Sequence, residues 1–81
     1  MTVKQASGAA QLAFLEELVR LRMEAGLTPR ELAECLGIQE CSVIRSEAGK
    51  RCVSVVELQR WTSACGSNLE KFGQRLNARL P

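Results

Sequence analysis

The stretch Gly26-Leu27-Thr28-Pro29-Arg30-Glu31-Leu32-Ala33-Glu34-Cys35-Leu36-Gly37-Ile38-Gln39-Glu40-Cys41-Ser42-Val43-Ile44-Arg45-Ser46-Glu47-Ala48-Gly49-Lys50 decides how this chain folds. Thr28 precedes a proline and sits three residues before Glu31. That is a capping box with proline in the first turn, so a helix starts at residue 29. Leu32, Ala33 and Leu36 put a small apolar face on that helix, and Gly37 stops it, because glycine enters the left-handed C-terminal cap without steric cost. A second short helix then runs over 40–48 and ends at Gly49. Two short helices joined by a tight glycine turn spell a helix-turn-helix, a unit that commonly sets its second helix into the major groove of DNA.

The same punctuation divides the rest of the chain. Gly26 and Gly66 close two further apolar-periodic segments, while Ser54-Val55-Val56-Glu57 and Ser67-Asn68-Leu69-Glu70 repeat the capping pattern. Helices are expected over roughly 9–25, 29–36, 40–48, 55–65 and 68–79, and no strand pattern competes. The fold class read from this is all-α: residues 1–8 a flexible tail, and 9–81 a single domain whose reading unit is 28–49. Phe14, Leu18, Leu21 and Ala25 form the inward stripe of the first helix, joined by Leu32, Leu36, Val43, Leu58, Trp61 and Cys65. A second stripe, Leu12, Leu15, Val19 and Met23, is more apolar than an outer face should be. It packs either on Phe72, Leu76 and Leu80 of the last helix or on a second subunit.

Length and composition bound the function. The 81 residues make one domain with a modest aliphatic core, since Phe14, Trp61 and Phe72 are its only aromatics. No run approaches the roughly 20 apolar residues of a membrane span. Met1 to Ala10 lacks the apolar segment of a secretory signal, which points to a cytoplasmic protein. Cys35, Cys41, Cys52 and Cys65 are widely spaced with no Cys-x-x-Cys pair, and histidine is absent, so neither a disulfide framework nor a metal site is expected. No cofactor motif is found either. Without histidine, tyrosine, evidently paired carboxylates or a nucleotide loop there is no catalytic constellation, and an enzyme is not expected.

The formal charge is +2, and its distribution is uneven. Residues 1–27 balance at zero. In residues 28–49, Arg30 and Arg45 face Glu31, Glu34, Glu40 and Glu47. Residues 50–81 carry Lys50, Arg51, Arg60, Lys71, Arg75 and Arg79 against Glu57 and Glu70. Attraction for phosphate is therefore expected from the segment after the reading unit. Taken singly, Arg60, Lys71, Arg75 and Arg79 read as solubilising charges on the last two helices.

With these residues in place, the chain resembles the lambdoid phage repressor and Cro family, the XRE-like helix-turn-helix proteins, over residues 14–72. The resemblance rests on Gly26-Leu27-Thr28, Glu31-Leu32-Ala33, Leu36-Gly37-Ile38, Val43 and Glu47-Ala48-Gly49-Lys50, spaced without gaps. It implies a five-helix lambda-repressor-like domain in which the second helix crosses the DNA backbone and the third reads bases. Gln39, Glu40, Cys41, Ile44 and Arg45 then occupy groove-facing positions. It also implies a structural ion pair between Arg22 and Glu47, costly to break because one buried charge would be stranded. Three features depart from the pattern. Pro29 replaces a glutamine that touches phosphate in many relatives, Gln39 is a poor cap, and Ile44 and Ser46 look exchanged.

Side-chain chemistry assigns roles within that frame. Arg45 can bond guanine O6 and N7 together, and Gln39 can bond adenine or a phosphate. Glu40 can accept from cytosine N4 or merely complement the helix dipole. Ile44 suits a thymine methyl or a protein surface. Cys41 fills a small groove-facing position; a redox role would need its thiolate favoured by the helix start, which Glu40 opposes. Thr28, Arg30, Lys50 and Arg51 flank the reading helix as phosphate contacts. The function expected is a sequence-specific transcriptional regulator, a homodimeric repressor of a palindromic operator. The alternatives are the antitoxin of a toxin–antitoxin pair, or a protein-binding adaptor on the same scaffold. The acidic reading unit, Pro29, Glu40 and Ile44 motivate the adaptor.

Overall fold

Hydroxyl and amide caps open three helices of this chain, and left-handed glycines follow four. The computed structural model describes residues 3–80, with side chains described from Gly8 onward. It holds α1 (Val3–Glu24), α2 (Pro29–Leu36), α3 (Glu40–Glu47), α4 (Val55–Ala64) and α5 (Leu69–Arg79), with no strand among the described residues. Thr28 closes its box as expected: its Oγ1 accepts from the Glu31 amide at 3.1 Å, and Glu31 Oε1 accepts from the Thr28 amide at 2.9 Å. Gly37 ends α2 at φ 71°, and its amide turns back to Ala33 and Glu34. Ser54 accepts from the Glu57 amide.

α3 and α4 each end one residue earlier than expected, at Glu47 and Ala64, and both ends of α1 and the start of α5 also shift. The first helix begins at Val3 and not near residue 9, because Val3 to Ser7 hold no breaker and Gly8 costs only about 1 kcal/mol. Met1 and Thr2, from the expected tail, lie outside the described residues, as does Pro81. Ala25 falls just beyond α1 and is exposed, so it leaves the inward stripe. At α5 the cap is Asn68 and not Ser67; Asn68 Oδ1 accepts from the Lys71 amide at 2.8 Å.

The core forms where the five helices meet. Leu18 and Leu21 of α1, Leu32, Ala33 and Leu36 of α2, Val43 of α3, Trp61 of α4 and Phe72 of α5 are buried together. Phe14 meets Phe72 edge-on, with ring centres 5.7 Å apart at 82°, a geometry that adds about 1 kcal/mol beyond area burial. The Trp61 indole nitrogen is buried without a hydrogen-bond partner.

Charge joins α5 to α1 beside this core. Glu17 is 3% exposed and accepts from Arg79 Nη1 at 2.9 Å, while Arg75 Nε stands 3.3 Å from its other oxygen. Arg75 also bonds Glu24, and Arg79 also bonds Glu16. Arg75 and Arg79 are therefore staples and not mere solubilisers. Arg60 also has a partner, since its guanidinium donates to the Leu36 carbonyl at the end of α2. The sequence offered no local sign of these pairs because most of them span some 50 to 65 residues.

Because α5 lies against the Phe14–Leu18–Leu21 side of α1, it leaves the other stripe uncovered. Leu12 is 57% and Met23 65% exposed. Packing of that stripe on Phe72, Leu76 and Leu80, one of the two sequence expectations, is not what the chain does. The molecule measures 41 × 24 × 20 Å, long for its size because the 22-residue α1 spans about 33 Å.

Candidate nucleic-acid interface

The placement of α3 follows from two inward residues. Val43 and Ser46 are three positions apart and fully buried, which fixes one side of the helix against the core. At 100° per residue, Cys41, Ile44 and Arg45 must then project on the opposite side, with Glu40 at its edge. All four are exposed, as is Gln39 just before the helix. The structure thus brings the five sequence-selected residues onto one outward surface.

The helix is held firmly from behind. Arg22 of α1 bonds Glu47 through both nitrogen–oxygen pairs, Nε to Oε2 at 2.7 Å and Nη2 to Oε1 at 3.2 Å. Its remaining nitrogen, Nη1, donates to the Leu27 carbonyl at 2.9 Å. One guanidinium therefore ties together α1, the turn before α2, and the end of α3. Just beyond, Gly49 takes φ 78°, and a Cβ there would lie 2.9 Å from Leu15 Cδ1. Only glycine suits that corner, both for its backbone angle and for its closeness to α1.

Ser46, one of the two residues that look exchanged against the resembled family, is buried on the inner face and has a partner. Its Oγ accepts from Arg51 Nη1 at 2.9 Å, and Arg51 bonds both oxygens of Glu57, at 2.6 and 3.0 Å. That hydrogen bonding holds the Glu57 carboxyl below its ordinary range and raises Arg51. Arg51, expected among the phosphate contacts, is thus a strut between α3 and α4. The signal was faint in sequence: six residues across a loop carry no periodic relation.

The polar inventory of the surface changes accordingly. Glu47 is neutralised by Arg22, and Glu31 is turned to the Thr28 amide. Arg30, Arg45 and Lys50 are exposed and make no side-chain hydrogen bond or ion pair among the described residues. The surface is less acidic than the sequence of 28–49 implies. Conversely, the positive excess of 50–81 is mostly consumed inside, by Glu57, Glu16, Glu17 and Glu24. Lys50 and Lys71 of this segment, and Arg20, Arg30 and Arg45 before it, are exposed and stay unpaired among the described residues.

At the start of α3, Gln39 makes no side-chain capping bond; its Oε1 instead accepts from the Cys41 thiol at 3.5 Å. The first amides of α3 are left without that cap. Thr28 gives its oxygen lone pair to the Glu31 amide, which leaves the hydroxyl hydrogen to donate elsewhere. Comparison with protein-family models, curated proteins and solved structures yields no match to this chain. Among the described residues the four cysteines are unpaired thiols. Cys35, Cys41 and Cys52 are exposed, and burial pushes Cys65 up to about 11. No described helix is long and apolar enough to cross a membrane.

Proposed function

We propose that α2 and α3 form a helix-turn-helix of the lambdoid repressor and Cro type, and that this protein is a sequence-specific DNA-binding transcriptional regulator. In this reading it acts as a homodimeric repressor of a palindromic operator, with one α3 per subunit in successive major grooves about 34 Å apart. The observation that carries the reading is the outward row of Gln39, Cys41, Ile44 and Arg45 on a helix clamped from behind by Val43 and the Arg22–Glu47 pair. A reading helix needs that combination of rigid backing and unengaged donors. Arg45 carries guanine selection, Gln39 and Glu40 read neighbouring edges, and Ile44 meets a thymine methyl. Arg30, Lys50, the Thr28 hydroxyl and the uncapped amides of α3 hold phosphates.

The test is a gel-shift titration with the DNA upstream of the protein's own gene, at two salt concentrations. Sequence-preferring binding that weakens with salt supports the regulator, and the antitoxin role would show the same contact. Ile44, 50% exposed at the middle of the face, is the observation that favours an adaptor. Absence of any shift at micromolar protein selects that second reading.

A further inference from the structure

The uncovered stripe of α1 is the floor of a groove of about 670 Å³, lined by Leu12, Leu15, Val19 and Met23 and walled on one side by Ala48. Leu15 and Val19 are half-buried at its centre, whereas Leu12 and Met23 stand out at its two ends. An apolar surface of this kind on a small domain marks a contact site. We propose that its occupant is the same groove of a second copy of this chain, packed as an antiparallel, two-fold pair of α1 helices.

Charge and shape argue for self-pairing. A two-fold contact requires that each residue meet its complement on the other chain and be met by it in return. With the crossing near Glu17 and Leu18, Leu15 lies opposite the partner's Val19, and Leu12 opposite the partner's Met23. The same crossing sets Glu16 opposite the partner's Arg20, and Arg20 opposite the partner's Glu16. Arg20 is exposed and makes no side-chain hydrogen bond or ion pair among the described residues. Glu16 bonds Arg79 through Oε1 alone, which leaves its second oxygen for an incoming guanidinium. Of the other charged residues that line the groove, Glu24 is engaged by Arg75 and Glu47 by Arg22, which leaves Glu16 and Arg20 in the order that a two-fold axis exchanges. A foreign helix would need this pattern by chance; a second copy has it by construction.

The inference rests on the regulator reading only for its requirement of two subunits, and it is tested without DNA. Sedimentation equilibrium of the full chain over roughly 10–300 μM, the range where modest interfaces associate, is expected to give twice the 8.9 kDa chain mass. The double variant Leu12→Glu, Met23→Glu should sediment as a monomer with unchanged helical circular dichroism, since both residues are exposed. Val55→Glu with Val56→Glu, equally exposed but outside the groove, should stay dimeric. Arg20→Glu should weaken the pair about tenfold at low salt, and Arg20→Lys should not. A monomeric wild type, or a dimer that survives the Leu12 and Met23 changes, overturns the proposal. A monomer that still shifts DNA overturns this pairing while leaving the reading role of α3 in place.

Discussion

Arg45 and Gly49 show how differently two residues of one short helix and its corner should respond to change. Arg45 is exposed and makes no side-chain hydrogen bond or ion pair among the described residues, so Arg45→Ala should leave the thermal midpoint nearly unchanged. DNA binding should weaken about 10- to 100-fold with relaxed preference at one base position, the size of a lost bidentate contact. Gly49→Ala should do the reverse. The positive φ and the approach to Leu15 should cost about 1–2 kcal/mol of stability, read by denaturant titration. The cysteines give a third outcome at this scale. Cys35, Cys41 and Cys52 should react promptly with a thiol reagent in native buffer. Cys65, half-buried and with its thiol pushed up to about 11 by burial, should react more slowly than the other three and catch up on unfolding.

At the scale of elements, helices and their limits were largely legible because glycine, proline and hydroxyl caps act locally. Gly37 and Thr28 speak only about their own turn, and the structure follows them. The inner and outer faces of α3 were legible for the same reason: the 3.6-residue period fixes which residues share a side. What sequence could not show was tertiary electrostatics. Nothing near Arg75 or Arg79 announces Glu17, and nothing near Arg51 announces both Ser46 and Glu57. These pairs depend on how helices dock, a property of distant segments. They also carry the element-scale predictions. Replacing Arg75 and Arg79 together by alanine strands Glu17 against α5 and should cost about 3 kcal/mol or more in a melt. The Arg51–Glu57 strut should be sensitive to acid. Glu57 has its carboxyl lowered by Arg51 in the folded state, so its contribution is complete above the ordinary value of 4.5. It is lost as pH falls through the lower folded value. Glu57→Gln should therefore flatten the acid limb of the stability profile.

For the whole molecule, the formal charge of +2 understates how selectively positive charge is deployed. Arginines after residue 50 tie helices together, while Arg20, Arg30, Arg45, Lys50 and Lys71 stay unpaired among the described residues; in the proposed reading Arg30, Arg45 and Lys50 face the DNA. With Arg30 and Lys50 on phosphates in each of two subunits, log affinity should fall against log salt with a slope of about −4. A basic nucleic-acid protein with many phosphate contacts would be much steeper. Specific recognition by such a lightly charged molecule must lean on α3, and that is the claim to test. The most direct measurement is selection from random double-stranded DNA by the wild-type protein and by Arg45→Ala in parallel. The account predicts that the wild type enriches a palindrome with a guanine in each half-site, and that the variant loses preference at that position alone. Enrichment of no motif by the wild type, or of the same motif with the same guanine by both proteins, would contradict it.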